Sequence, residues 1–319
     1  MNRLRETDNW RETTLRVRVQ LSAIIPGKTR LGIAIVTLSV CLFVIMDAGA
    51  KALITTYPVV EIIFMRNVIA LFPLAVFSMG LKGGLSNLKI KSWKFALTRG
   101  LFISMIQGLF FYSLLWLPLA VAVALFFTGP LFITALSSSF LNEKVGPARW
   151  SAVIVGFVGV VIICGIGTDF FTIYSLLPLG CALIYAFVLM MVRYSPHEDS
   201  STAVTFYGNL GAAFVCLLFL PFEWVQPQTS DFPLFLMIGF AGAFGALALN
   251  AGYRYAPAAV LAPIDYLALP LAFCVGYIFW GEVLPQHFWI GAVLVTAAGL
   301  FIAIREARAP KAGSENELL

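Results

Sequence analysis

The sequence predicts an all-α integral membrane protein: ten transmembrane helices in two inverted five-helix repeats, both termini cytoplasmic. Three observations predict it. The composition is too apolar for a water-facing surface, the apolar runs are long enough to cross a bilayer, and odd residues recur at a fixed offset.

Apolar residues make up 60% of the 319 positions and charged residues 12%. Soluble domains carry about 25% charged residues, so the lipid bilayer is this chain's solvent and first partner. The formal charge of +5 does not point to nucleic acid. The basic residues sit at the N-terminus and between apolar runs, where they set topology. Cys41, Cys164, Cys181, Cys216 and Cys274 all fall inside apolar runs with no metal-ligand spacing. They are expected to pack as small core residues, with no disulfide framework, metal or cofactor.

A spanning helix needs about 20 apolar residues. Ten runs qualify: 31–52, 58–79, 93–115, 118–141, 148–166, 173–193, 202–222, 232–253, 257–280 and 286–305. Prolines, glycines and charges separate them. With the N-terminus in the cytoplasm, 18 of the 21 Lys and Arg residues fall on the inner side, and Lys51 alone lies outside. Arg66 and Arg99 lie within spans. That bias places both termini inside, in a bacterial inner membrane. Residues 1–29 form a polar arm that is neither signal peptide nor span. It is expected to be mostly without fixed structure, with an amphipathic surface helix over 10–21 as the alternative. The repeats are expected over 30–168 and 169–306, and 307–319 form a cytoplasmic tail.

The repeat is visible at an offset of 139. Gly100 matches Gly239, Pro118 matches Pro257, and Ala120-Val121 matches Ala259-Val260. Glu143 then matches Glu282, and Trp150 matches Trp289. Each unit holds five spans, so the second enters the membrane from the opposite side. Such inverted repeats give a central site with two near-equivalent gates. A duplicated scaffold with no transport role is the alternative.

These residues resemble a known family. The first copy has Gly129-Pro130-Leu131, then Phe140-Leu141-Asn142-Glu143-Lys144, Trp150, Gly156 and Gly159; the second has Leu269-Pro270-Leu271, Trp280-Gly281-Glu282, Trp289, Gly291 and Gly299. Twice in register, they resemble the EamA-type transporters of the drug/metabolite transporter superfamily, over about residues 31–305. Asn142 stands where the family usually has Gly, which touches only the local turn. The resemblance implies ten helices, a central cavity and transport of metabolites. Asp47 with Lys51, Arg66, and Pro263-Ile264-Asp265-Tyr266 are most similar to the branch that includes riboflavin and S-adenosylmethionine carriers.

An ionisable group at mid-membrane costs roughly 3 kcal/mol, so each one needs a reason. Asp47 and Lys51 share a helix face four positions apart. They form either an internal ion pair or a gate or coupling contact. Arg66 lies too deep to snorkel easily, so it must face the interior and find an acceptor. Asp47 and an anionic substrate group are the two candidates. Glu61, nearer the outer surface, is expected to be interfacial. Arg99 either snorkels to the cytoplasmic side or faces the cavity. Gln107, with Ser104 and Tyr112, would line a polar stripe. Asp265 lies near mid-depth beside Tyr266, with Pro263 freeing a backbone carbonyl nearby. It is the first candidate for a protonatable coupling residue, its competing role a structural pair with Arg66 or Arg99. Asn250 and Asn209 are weaker candidates, since Asn often only joins helices. Phe110, Phe111, Tyr112 and Trp116 are expected mainly at the lipid or the interfacial belt, with a stacking role as the alternative.

Other classes fit less well. An intramembrane enzyme needs a nucleophile with a base, or metal ligands, and the only histidines, His197 and His287, lie in or beside loops. A channel needs a ring of identical residues, which a twofold repeat does not readily supply. The expectation is a secondary transporter working by alternating access on a small-molecule substrate, with proton coupling as an addition. A vitamin, a nucleoside-cofactor-like solute or an anionic metabolite would be its substrate. An amino-acid or multidrug exporter of the same fold is the alternative, and a homodimer is compatible with the chain.

Overall fold

The computed structural model describes residues 27–80, 84, 88–90, 93–140, 146–165, 171–193 and 200–308. The first 26 residues of the arm, with the surface-helix stretch at 10–21, lie outside the described residues. So do Glu143, His197 and the tail beyond Arg308.

Among the described residues every regular element is helical. The first half holds α1 (Gly27–Leu53), α2 (Val59–Gly80), α3 (Trp93–Ser113), α4 (Leu119–Phe126), α5 (Gly129–Phe140) and α6 (Pro147–Ile163). After a 3-10 turn at Ile173–Ser175 the second half holds α7 (Leu176–Arg193), α8 (Ser201–Glu223), α9 (Phe232–Tyr255), α10 (Ala258–Asp265), α11 (Ala268–Trp280) and α12 (Gln286–Arg308). Seven stretches are long and apolar enough to cross a membrane, and Pro147–Ile163 and Ile173–Leu189 are shorter apolar helices.

The two halves keep the sequence offset in their elements. Helices α3 and α9 begin at Trp93 and Phe232, α4 and α10 at Leu119 and Ala258, α5 and α11 at Gly129 and Ala268, and α6 and α12 at Pro147 and Gln286. Each pair of starts is 139 positions apart, so the duplication extends to where the backbone turns.

The runs 118–141 and 257–280 are not continuous helices as expected. Each breaks at its middle, between α4 and α5 and between α10 and α11. Pro130 has no N–H for the carbonyl of Phe126, and Pro270 has none for that of Tyr266. The chain tightens there into three-residue bonds. The Thr128 N–H reaches the Leu125 carbonyl at 3.2 Å, and the Leu267 N–H reaches that of Ile264 at 3.0 Å. Pro263, the proline expected to open the backbone, lies inside α10 and does not end it. The rings of Phe127 and Tyr266, one from each break, meet at 4.8 Å.

Close backbone approach holds the bundle together. A Cβ at Gly159 would lie 2.9 Å from the Gly291 carbonyl oxygen, and one at Gly291 would lie 2.6 Å from that of Gly159. Only hydrogen at both positions lets α6 and α12 pack at this distance. Helix α1 packs along α9, and α8 packs against both α2 and α3. Large apolar side chains such as Phe72, Phe222, Ile278 and Phe279 point outward, as lipid contact requires. The packing of the two halves is not fully twofold symmetric. Helix α4 packs on α11 at the Lys51 end of the bundle, while the equivalent pair, α5 and α10, has no comparable interface.

Candidate functional site: three polar clusters

The first cluster surrounds Arg66, about 10 Å into α2 at 1.5 Å per residue. Its side chain is buried. Asn67 Nδ2 donates to the Ile63 carbonyl one turn back at 2.7 Å and to Gln107 Oε1 at 2.7 Å. Those bonds fix the amide so that its oxygen accepts from Arg66 Nη1 at 3.2 Å. Arg66 Nε donates to the sulfur of Met46 at 3.1 Å. Asp47, the next residue on α1, lies within electrostatic reach of the guanidinium. Among the described residues no carboxylate forms an ion pair with Arg66. Gly242 on α9 makes the room: a Cβ there would lie 2.8 Å from Arg66 Nη2.

The second cluster stands at the break between α10 and α11. Asp265, the last residue of α10, accepts from the Tyr253 hydroxyl of α9 at 2.6 Å. The Tyr266 hydroxyl and the Arg99 Nε are buried with no hydrogen-bond partner among the described residues. Tyr266 lies over Gly299, where a methyl group would collide with its hydroxyl.

The third cluster closes one end of the bundle. Lys51 Nζ bonds Glu282 Oε1 and donates to the Leu117 carbonyl at 2.9 Å. The other Glu282 oxygen accepts from the Leu119 N–H, at the first residue of α4, at 2.9 Å. Gly281 takes φ +64°, a left-handed cap that glycine adopts at no steric cost. That turn folds Glu282 back over the end of α11. The Trp280 ring lies 5.6 Å from Lys51 Nζ. A cleft of about 330 Å³ is lined by these residues together with Ile54, Leu114 and Trp116.

The structure therefore distributes the expected site residues. Arg66, Gln107 and Asp47 come together. Asp265 and Tyr266 stand together at the break between α10 and α11, and among the described residues Asp265 forms an ion pair with neither arginine. Lys51 bonds Glu282 and not Asp47, because the end of α11 reaches across it. Tyr112 is 43% exposed on the outside of the bundle and joins no polar stripe. Ser104 bonds its own helix at the Leu101 carbonyl. Asn250 is exposed and donates to Thr205 Oγ1 at 3.5 Å, and Asn209 bonds the Thr205 carbonyl within its own helix. Phe110 and Phe111 are buried, whereas Trp116 is exposed and stacks on Tyr174 with centroids at 4.3 Å.

Glu61 departs furthest from expectation. It is fully buried, and one oxygen accepts from the Val225 N–H at 3.0 Å. The segment before α9 folds over it, held by the Tyr57 hydroxyl, which donates to Asp231 at 2.6 Å. Among residues that sequence reasoning did not assign to a site, Glu282 carried a signal, since it is the acidic residue that recurs at the repeat offset. Asn67 carried one too, as an amide beside a buried arginine. Tyr253 carried none, because nothing local marks it as facing Asp265.

Two helical repeats, each with a broken helix, and buried charges among apolar helices long enough to span a bilayer define a polytopic membrane protein. The chain belongs to the EamA-like transporter family, whose model matches residues 30–165 and again 172–304. It is a multi-pass inner-membrane protein. It is 39% identical over 189 residues to a riboflavin transporter of Vibrio cholerae, a match covering 58% of this chain and 62% of that protein. It is 26% identical over 289 residues to an S-adenosylmethionine uptake transporter of Rickettsia prowazekii, covering 90% of this chain and 97% of the other. A crystal structure of a protein 18% identical superposes with a TM-score of 0.60 over 89% of this chain and 99% of that one, which shows the fold alone.

Proposed function

We propose that the chain is a secondary transporter that takes up a small organic metabolite by alternating access, through ten spans with both termini in the cytoplasm. One observation carries this reading. Arg66 is buried in an apolar bundle, yet the acceptors that touch it are a thioether sulfur and an amide oxygen. A buried cation without a bonded anion is expensive, and a passing solute with an acceptor group would complete it. The relatives support a vitamin or nucleoside-cofactor type of solute, since they are named for riboflavin and S-adenosylmethionine.

The asymmetric packing supports two exchangeable states. The Lys51–Glu282 bridge ties the first repeat to the second at the outer end and keeps α4 on α11. The α5–α10 pair at the other end lacks that seal. Rocking the halves would break the first contact and make the second, and inverted repeats allow both at similar energy. Asp265 at the helix break would take and release a proton during the cycle. Tyr253 would hold its carboxylate in place.

Uptake of radiolabelled riboflavin and S-adenosylmethionine into proteoliposomes, with and without an imposed pH gradient, tests the proposal. Accumulation of either solute is the expected result, and Asp265→Asn should abolish its dependence on the gradient. No uptake of any metabolite in a broad panel would sink the transporter reading. Full pH-driven uptake by Asp265→Asn would sink the coupling assignment alone.

A further inference from the structure

The hydrogen bonds around Arg66 run in one direction. Arginine only donates, and a backbone carbonyl only accepts. The buried Asn67 amide touches one of each, so its orientation is fixed. Its nitrogen faces the Ile63 carbonyl at 2.7 Å, and its oxygen takes Arg66 Nη1 at 3.2 Å. The same nitrogen reaches Gln107 of α3 at 2.7 Å, and only the Gln107 oxygen can accept it. Gln107 therefore turns its own nitrogen away from Asn67, and that nitrogen bonds no described residue. Neither does Arg66 Nη2, which lies over Gly242, where a Cβ would meet it at 2.8 Å. Among the described residues no carboxylate pairs with Arg66. Two donors linked through one buried amide are thus left with hydrogens to give.

We infer that Asn67 is a positioning residue that makes Arg66 and Gln107 a paired donor face, and that the solute meets this face with an edge of acceptors, a carboxylate or the carbonyls of a flat ring. The inference rests on the transporter reading above and names the chemistry of the group that completes Arg66. Such an edge offers lone pairs to the guanidinium and the amide together, and the bond to the guanidinium is charge-assisted. An amine edge would meet only hydrogens there. The polarity of the face is set by Asn67 and not by Gln107 itself, whose amide can turn either way. An aspartate in place of Asn67 would only accept, so Gln107 would turn its nitrogen inward and show the solute its oxygen.

Equilibrium binding to the purified full chain tests this in two arms. One compares S-adenosylmethionine with its decarboxylated form, which lacks the carboxylate. The other compares riboflavin with its 2-thio and 4-thio analogues, in which a weakly accepting sulfur replaces a ring carbonyl oxygen. The arms tell a carboxylate from a ring carbonyl. The expected result is that in at least one arm the parent binds about tenfold or more tighter than its analogue. Asn67→Asp should bring that ratio to about one or below, the loss falling on the parent. Gln107→Met, which changes no charge, should reduce the ratio about threefold or more. A merely structural role for Asn67 or Gln107 would weaken parent and analogue alike and leave the ratio where it was. An unchanged ratio in either folded variant overturns the inference, as does equal binding of parent and analogue by the unaltered protein in both arms; the transporter reading then stands. Binding of neither parent also overturns it, and failure of the uptake panel as well takes the transporter reading with it. The comparison within the unaltered protein decides the matter where a variant does not fold.

Discussion

Phe127 and Tyr266 occupy the same position in the two repeats, and their rings meet at 4.8 Å where the two broken helices cross. The relationship between the halves thus runs through a contact between equivalent residues. It also leaves one difference between them, because only Tyr266 carries a hydroxyl, and that hydroxyl is buried without a partner.

Tyr266→Phe should therefore separate stability from transport. Removing a buried unsatisfied hydroxyl is neutral or stabilising for a fold. The melting temperature of the variant should hold or rise. If the hydroxyl meets the solute, the apparent KM should increase about fivefold or more. Paired thermal unfolding and uptake kinetics check both halves.

Gly242→Ala should act on Arg66 without breaking the bundle. The new methyl would lie 2.8 Å from Nη2 and 3.1 Å from the Met46 sulfur, both at the ends of flexible side chains. The guanidinium should swing aside and lose its bond to Met46. Solute affinity should fall about tenfold, the worth of one hydrogen bond to a charged group. The melting temperature should change little. A variant that binds as the original does would show that the Arg66 position is not critical.

The Lys51–Glu282 bridge should not tolerate reversal. Lys51 also donates to a carbonyl, and Glu282 also accepts from a backbone N–H. A glutamate at 51 would face the Leu117 oxygen, and a lysine at 282 would face the Leu119 N–H. Lys51→Met alone leaves a nearly buried carboxylate and should cost about 3 kcal/mol of stability. The double swap, Lys51→Glu with Glu282→Lys, should recover less than half of that loss. Full recovery in thermal unfolding would mean that the two charges alone make the contact.

Tyr57 gives a pH signature outside the spans. Its hydroxyl donates to the Asp231 carboxylate, and that bond raises its titration above the ordinary value of 10. A raised pKa in the folded state means stability that is complete below pH 10 and is lost as pH rises through the folded value. The original protein should lose thermal stability in strongly alkaline solution more steeply than Tyr57→Phe. The variant should also melt lower at neutral pH, having lost the bond to Asp231 and the one from the Gln228 N–H. Parallel alkaline melting profiles for the two proteins would contradict this.

How much was legible beforehand depended on the range of the forces involved. Sequence alone determined the all-helical membrane class, the apolar runs and the duplication at 139, because lipid solvation and proline placement act locally and leave periodic marks. It also marked Arg66 and Asp265 as groups needing an inward-facing reason, since lipid would penalise each by itself. The tertiary structure alone decided which charges meet. Lys51 and Glu282 are separated by 231 positions, and no local rule links the end of α1 to the turn after α11. It also decided that Glu61 is buried, that Asp265 bonds Tyr253, and that both central helices break. Electrostatic pairing in a bundle depends on which helix faces are brought together, and that is settled by packing between small residues distant in the chain.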